Sequence, residues 1–140
     1  MRSTLLSLLL LISISAWAQK PLVWEVLGMT TYTNDFEAGG TLIPKFPPIL
    51  ESQYEGQEVT ISGYLIPIDV EANTYALSKN PFTSCFFCGN AGPETVIELK
   101  FDKSPGRFAT DTYVMIKGVL KLNRHGNALF FTLTHASLHG

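Results

Sequence analysis

Two stretches of this chain alternate apolar and polar residues and carry a glycine in mid-run, which restricts the fold more than any other feature. In residues 57–68, Val59, Ile61, Gly63 and Leu65 share one face, and Thr60, Ser62 and Tyr64 share the other. In residues 113–122, Val114, Ile116, Leu120 and Leu122 face one way with Gly118 among them, and Lys117 and Lys121 face the other. A period of two belongs to a strand with one buried face. A glycine on that face offers no side chain to pack and marks a bend or a close approach of another backbone. Residues 95–101 repeat the alternation, with Ile97, Leu99 and Phe101 opposed to Glu98 and Lys100. Residues 74–77 read as a short return strand, and residues 129–138 as the last strand, with Leu129, Phe131 and Leu133 inward. Pro67 lacks an N–H for a ladder and marks a strand end or an edge. The polar run 123–127 reads as a hairpin loop.

Five strands, two of them bent at glycine, predict an all-β fold: a small five-stranded OB-like barrel with an extended N-terminal segment. A β-sandwich is the alternative. No stretch has a convincing 3.6-residue apolar period. Residues 20–50 are less regular. A short strand is expected over 22–31, then a crossing segment broken by Gly39-Gly40, Pro44, Pro47 and Pro48, with Phe46, Ile49 and Leu50 laid over the core.

Residues 1–18 form a separate piece. Arg2 precedes a run of about ten apolar residues, and Ala16-Trp17-Ala18 follows, the pattern of a secretory signal peptide. The run is well short of the roughly 20 residues that span a bilayer as a helix. The expectation is a periplasmic or secreted protein with signal peptide 1–18, a single β-barrel domain over 19–140, and no direct membrane insertion after cleavage. The full chain has 10 Lys+Arg and 12 Asp+Glu. Loss of Arg2 makes the mature chain more acidic still, which argues against nucleic acid as a partner.

Both cysteines lie in one loop, 80–94, as Cys85-Phe86-Phe87-Cys88-Gly89. Cys-x-x-Cys sets two thiolates on one side of a tight turn, at the spacing a shared tetrahedral ion needs. The remaining soft ligands are His125, His135 and His139. If the last strand stays extended, His135 and His139 stand about 13 Å apart at about 3.3 Å per residue, too far to share an ion easily. His135 has the parity of Phe131 and Leu133, is expected at the inner rim of the barrel, and completes the metal set Cys85, Cys88 and His135. A structural Cys85–Cys88 disulfide competes with this reading, since an oxidising compartment permits one. Redox catalysis has less support, because no thioredoxin-like βαβ unit is visible. Covalent haem attachment needs His where Gly89 stands. No nucleophile–base set marks an enzyme, and Glu94, Glu98, Asp102 and Asp111 read as a solvated face.

Several motifs together resemble a domain-of-unknown-function family of small exported bacterial proteins. They are Trp24-x-x-Leu27, Pro44-x-Phe46-Pro47, Gly56-x-x-Val59-x-Ile61-x-Gly63-Tyr64-x-Ile66-Pro67, the loop 85–93 and the strand after it. Members often carry Cys-x-His and a proline run at the loop, where this chain has Cys85-x-x-Cys88-Gly89 and Gly92-Pro93. The resemblance favours metal over disulfide, because His replaces Cys on zinc or copper and not in a disulfide. Two functions follow as expectations. One is an exported accessory protein holding a Zn or Cu ion through the Cys-x-x-Cys loop, serving a membrane transport or envelope protein. The other is a non-catalytic envelope scaffold whose disulfide-stiffened loop presents Phe86 and Phe87.

Overall fold

The computed structural model describes residues 19–81, 92–126 and 128–140. The strands are β1 (Lys20–Pro21), β2 (Thr31–Asp35), β3 (Thr41–Lys45), β4 (Glu58–Asp69), β5 (Thr74–Ser78), β6 (Val96–Phe101), β7 (Thr112–Leu122) and β8 (Phe131–Leu138). Between them lie one helical turn, α1 (Trp24–Leu27), a π-helical turn over Leu50–Tyr54 and a 3-10 turn over Pro93–Thr95.

The last five strands close on themselves. β4 pairs with β5, β5 with β6, β6 with β8, β8 with β7, and β7 returns to β4. Of these five pairings only β6–β8 is parallel. In chain order this is a 1-2-3-5-4-1 barrel, the OB-like arrangement expected from the alternation. The alternation survives as burial: Val59, Ile61 and Leu65 of β4 and Ile116, Leu120 and Leu122 of β7 point inward. Each side chain so buried contributes roughly 1.5–3 kcal/mol by removal from water.

The glycines act where the strands crowd. A Cβ on Gly63 would lie 2.7 Å from the Ser78 carbonyl oxygen and 2.9 Å from Leu77 Cγ. A Cβ on Gly118 would lie 3.0 Å from the Thr134 carbonyl oxygen. Both are the close backbone approaches that mid-strand glycine signals.

The N-terminal segment departs from expectation. A strand over 22–31 does not form. Instead β1 adds two residues in parallel to β4, and α1 follows. The physical reason is a gap in the barrel wall. β1 covers β4 at Val59 and Thr60, while β5 begins to cover it only at Tyr64. The helical turn swings Trp24 into that gap, where its indole Nε1 donates to the Ser62 carbonyl at 2.8 Å, and fully buries Leu27. A continuing strand could do neither.

The polar residues that follow form the β2–β3 hairpin, whose turn uses Gly39 and Gly40 at φ 78° and 83°. There the Asp35 carboxylate accepts from the Glu37 and Ala38 amides. Phe46 and Leu50 are buried over the core as expected, while Ile49 is only half-buried.

Candidate functional site

The Cys-x-x-Cys loop is anchored by neighbouring antiparallel strands. β5 ends at Ser78 and β6 begins at Val96, and these two residues are paired. Just beyond, the Lys79 amide donates to the Thr95 carbonyl at 2.9 Å. Thr95 donates through both its amide and its hydroxyl to the Gly92 carbonyl, at 3.0 and 2.6 Å. The loop is thus pinched at its feet by backbone bonds. Cys85 and Cys88, with Phe86 and Phe87, lie outside the described residues.

Glu94 departs from the expected solvated face. It is half-buried, with Oε2 enclosed and without a hydrogen-bond partner among the described residues. Asp102 keeps the exposure expected of it.

His135 is where sequence parity fails. β8 pairs Leu133 with Leu120 and Thr134 with Val119, then resumes with Ser137 opposite Lys117. One residue too many stands on β8, opposite Gly118. On the other side Leu99 faces Leu133 and Phe101 faces Ala136, the same single-residue slip. The extra residue forms a β-bulge, with His135 at φ +50°. A bulge reverses the parity of whatever follows and re-aims a side chain. Ala136 therefore turns inward, and His135 stands 72% exposed on the outer surface rather than at the inner rim.

There its Nδ1 meets Asp102 Oδ2 at 2.8 Å. A carboxylate accepts only from a ring N–H, so this contact puts the proton on Nδ1 and leaves Nε2 as an unprotonated lone pair facing water when the ring is neutral. Along β6, the five residue steps from Val96 at the loop's foot to Phe101 beside Asp102 span about 16 Å.

The other two histidines are apart from this pair. His125 lies on the β7–β8 connection, exposed, and lines a cavity of about 330 Å3 with Lys121, Asn123 and Arg124. Arg124 is committed elsewhere. It donates to both carboxylate oxygens of Glu55 at 2.7 and 2.8 Å and to Glu51 at 3.0 Å. Those bonds hold Arg124 above its usual range and Glu55 below its own. His139 lies beyond the end of β8, next to Met115 of β7. Among the described residues no three His, Cys, Asp or Glu side chains come together, and no helix is long and apolar enough to cross a membrane.

Sequence reading missed two partners in this geometry. The Asp102 contact depends on the bulge, and Trp24 is held through a backbone carbonyl of β4, which carries no residue signal. Compared with models of known families, with curated proteins and with solved structures, the chain matches none.

Proposed function

We propose that the protein is an exported metal-handling accessory protein of the small exported family it resembles, binding a Zn or Cu ion through Cys85, Cys88 and His135 for an envelope or membrane transport partner. The observation that carries this reading is the His135–Asp102 pair. Metal-ligating histidines almost always give their second ring N–H to a carboxylate or carbonyl, which fixes the tautomer and raises the basicity of the ligating nitrogen. His135 has that arrangement, on a bulge that turns it outward, with Nε2 open to an incoming ion.

The separation from the loop's feet is within covalent reach. Seven residue steps join Ser78 to Cys85 and eight join Cys88 to Val96. Seven steps of extended chain span about 23 Å, more than the roughly 16 Å required. Two thiolates and one imidazole suit zinc with one open position, or Cu(I). The open position fits a carrier that must release its ion.

The test is metal content. The mature chain, purified without added metal, is analysed by elemental mass spectrometry beside a free-thiol count. One zinc or copper per chain is expected, lost in Cys85→Ser/Cys88→Ser. Affinity should fall about tenfold or more in Asp102→Asn, the range typical of a lost carboxylate partner. A chain with neither metal nor free thiol overturns the proposal in favour of a Cys85–Cys88 disulfide and a scaffold role. Metal binding unchanged in His135→Ala removes His135 from the set.

A further inference from the structure

We infer that β2 is a self-association edge: two copies of this chain pair antiparallel through their β2 strands, about a two-fold axis at Thr33. The β2–β3 hairpin carries this inference, independently of the cysteine loop. β2 and β3 form a sheet of their own, outside the closed barrel. The Asp35 carbonyl accepts from the Gly40 amide, so the Asp35 backbone groups point toward β3. Backbone groups alternate in direction along a strand. Those of Thr31 and Thr33 therefore also point to β3, and those of Tyr32 and Asn34 point away from it.

The two outer edges of the hairpin differ. On β3 the same alternation turns the backbone groups of Leu42 and Pro44 outward. Pro44 has no N–H to offer, and the Leu42 carbonyl lies beside Gly126, 2.9 Å from where a Cβ there would stand. β2 has neither protection. Thr31, Tyr32, Thr33 and Asn34 are all exposed. Among the described residues no hydrogen bond outside the hairpin's own ladder engages the Tyr32 or Asn34 backbone. The strand also lacks the proline, lysine or bulge that usually blunts an edge.

β2 is complementary to itself. With Thr33 on the two-fold, Tyr32 faces Asn34 of the second copy and Asn34 faces Tyr32 of the second copy, so every outward N–H meets an outward carbonyl. Thr31 then faces Asp35 of the second copy. Lys45 pairs with Thr31 on the other side, and so stands on the same face two strand spacings, about 10 Å, from that Asp35. Opposite charges thus meet at both ends of the pairing, while the two Asp35 residues stay at opposite ends. Beyond the strand the same register carries Phe36, 81% exposed, toward Met29 of the second copy, 56% exposed. The exposed apolar side chains that flank β2 so cover one another. A pairing this short buries less than a permanent dimer does, and the association is weak.

The experiment uses the full mature chain carrying Cys85→Ser and Cys88→Ser, so that neither a disulfide nor a metal shared by the thiols can join two copies. Sedimentation velocity is followed from micromolar to millimolar concentration. A monomer that becomes a dimer, and no larger species, is expected, with the amide NMR signals of Tyr32 and Asn34 shifting as the dimer fills. Asn34→Pro removes an outward donor, leaves the bonds to β3, and should weaken the dimer at least about tenfold. Thr33→Lys and Thr33→Glu each set like charges opposite one another at the axis. Each alone should stay monomeric, and an equimolar mixture of the two should dimerise. Far-UV circular dichroism confirms that each variant retains the barrel. A chain that stays monomeric throughout, a dimer indifferent to Asn34→Pro and to both Thr33 changes, or a mixture that remains monomeric overturns the inference. The zinc or copper count of the parent chain is read separately, so this inference and the metal proposal fail independently.

Discussion

At the residue scale, Gly63 and Trp24 do work that their neighbours cannot share. Gly63 sits where β4 passes under the Ser78 backbone, with the Trp24 ring 3.1 Å from where a Cβ would be. Backbone cannot step aside as a flexible side chain can. Gly63→Ala should therefore lower unfolding stability by about 2–3 kcal/mol, as overpacking does, read from the urea midpoint at unchanged slope. Gly56 is a useful contrast. Its φ is +75°, but nothing lies within 4 Å of an added Cβ. Gly56→Ala should cost only the left-handed backbone term, about 1–2 kcal/mol. Trp24→Phe keeps an aromatic ring but removes the indole N–H together with part of the packed indole, leaving the part-buried Ser62 carbonyl without this donor. A loss of about 1–2 kcal/mol is expected on the same urea curve.

At the element scale, the Leu50–Tyr54 turn is tied to the β7–β8 connection through Arg124. The turn starts after Pro47-Pro48, where the missing N–H groups are among those a helix leaves unpaired anyway. The Glu51 and Glu55 carboxylates then grip one guanidinium, which also lies 5.7 Å from the centre of the Phe46 ring. All three charged side chains are part-exposed, so water screens the attraction, and Arg124→Ala should cost only about 1 kcal/mol.

The pH dependence identifies the contact. The hydrogen bond from Arg124 holds the Glu55 carboxyl below its ordinary range when folded. A carboxyl depressed in this way stabilises the fold above its unfolded value and loses that contribution as pH falls through the folded one. The stability gap between the parent and Arg124→Ala should stay constant near neutrality and narrow as pH drops below about 4.5. A gap independent of pH would mean that Arg124 acts through its stacking on Phe46 alone.

At the scale of the whole molecule, the barrel is held by its own ladders and core. Every strand from β4 to β8 has two neighbours, so none of the five leaves an edge along its full length. Tyr75 and Phe131, both fully enclosed, fill the interior with leucine and isoleucine. Nothing in that core needs an ion. Stripping metal with a chelator under reducing conditions should therefore empty the site without unfolding the chain, with near-ultraviolet circular dichroism retained. Metal content, rather than folding, is the proper measure of the metal proposal. Closing the barrel needs pairings between distant segments, above all β4 with β7 and β6 with β8. Refolding should accordingly run on the millisecond-to-second scale typical of small β-barrels.

Much of this architecture was legible in the residues because alternation is local. Whether Ile61 and Ile116 face inward depends on the strand's own period, and the mid-strand glycines marked the crossings before any crossing was seen. The candidate site was legible only in part. Its ligand types were visible as letters, but where they meet depends on register. One inserted residue at His135 reverses the facing of all that follows, and nothing in the composition of residues 131–138 announces it. Trp24 escaped for a related reason: its partner is a carbonyl on β4, left uncovered between β1 and β5. The chain's periodicity by itself determined an all-β barrel and the inward residues of its long strands. Only the tertiary structure decided that His135 turns out to Asp102, because side chains meet across strands according to pairing, and pairing is a property of the closed barrel.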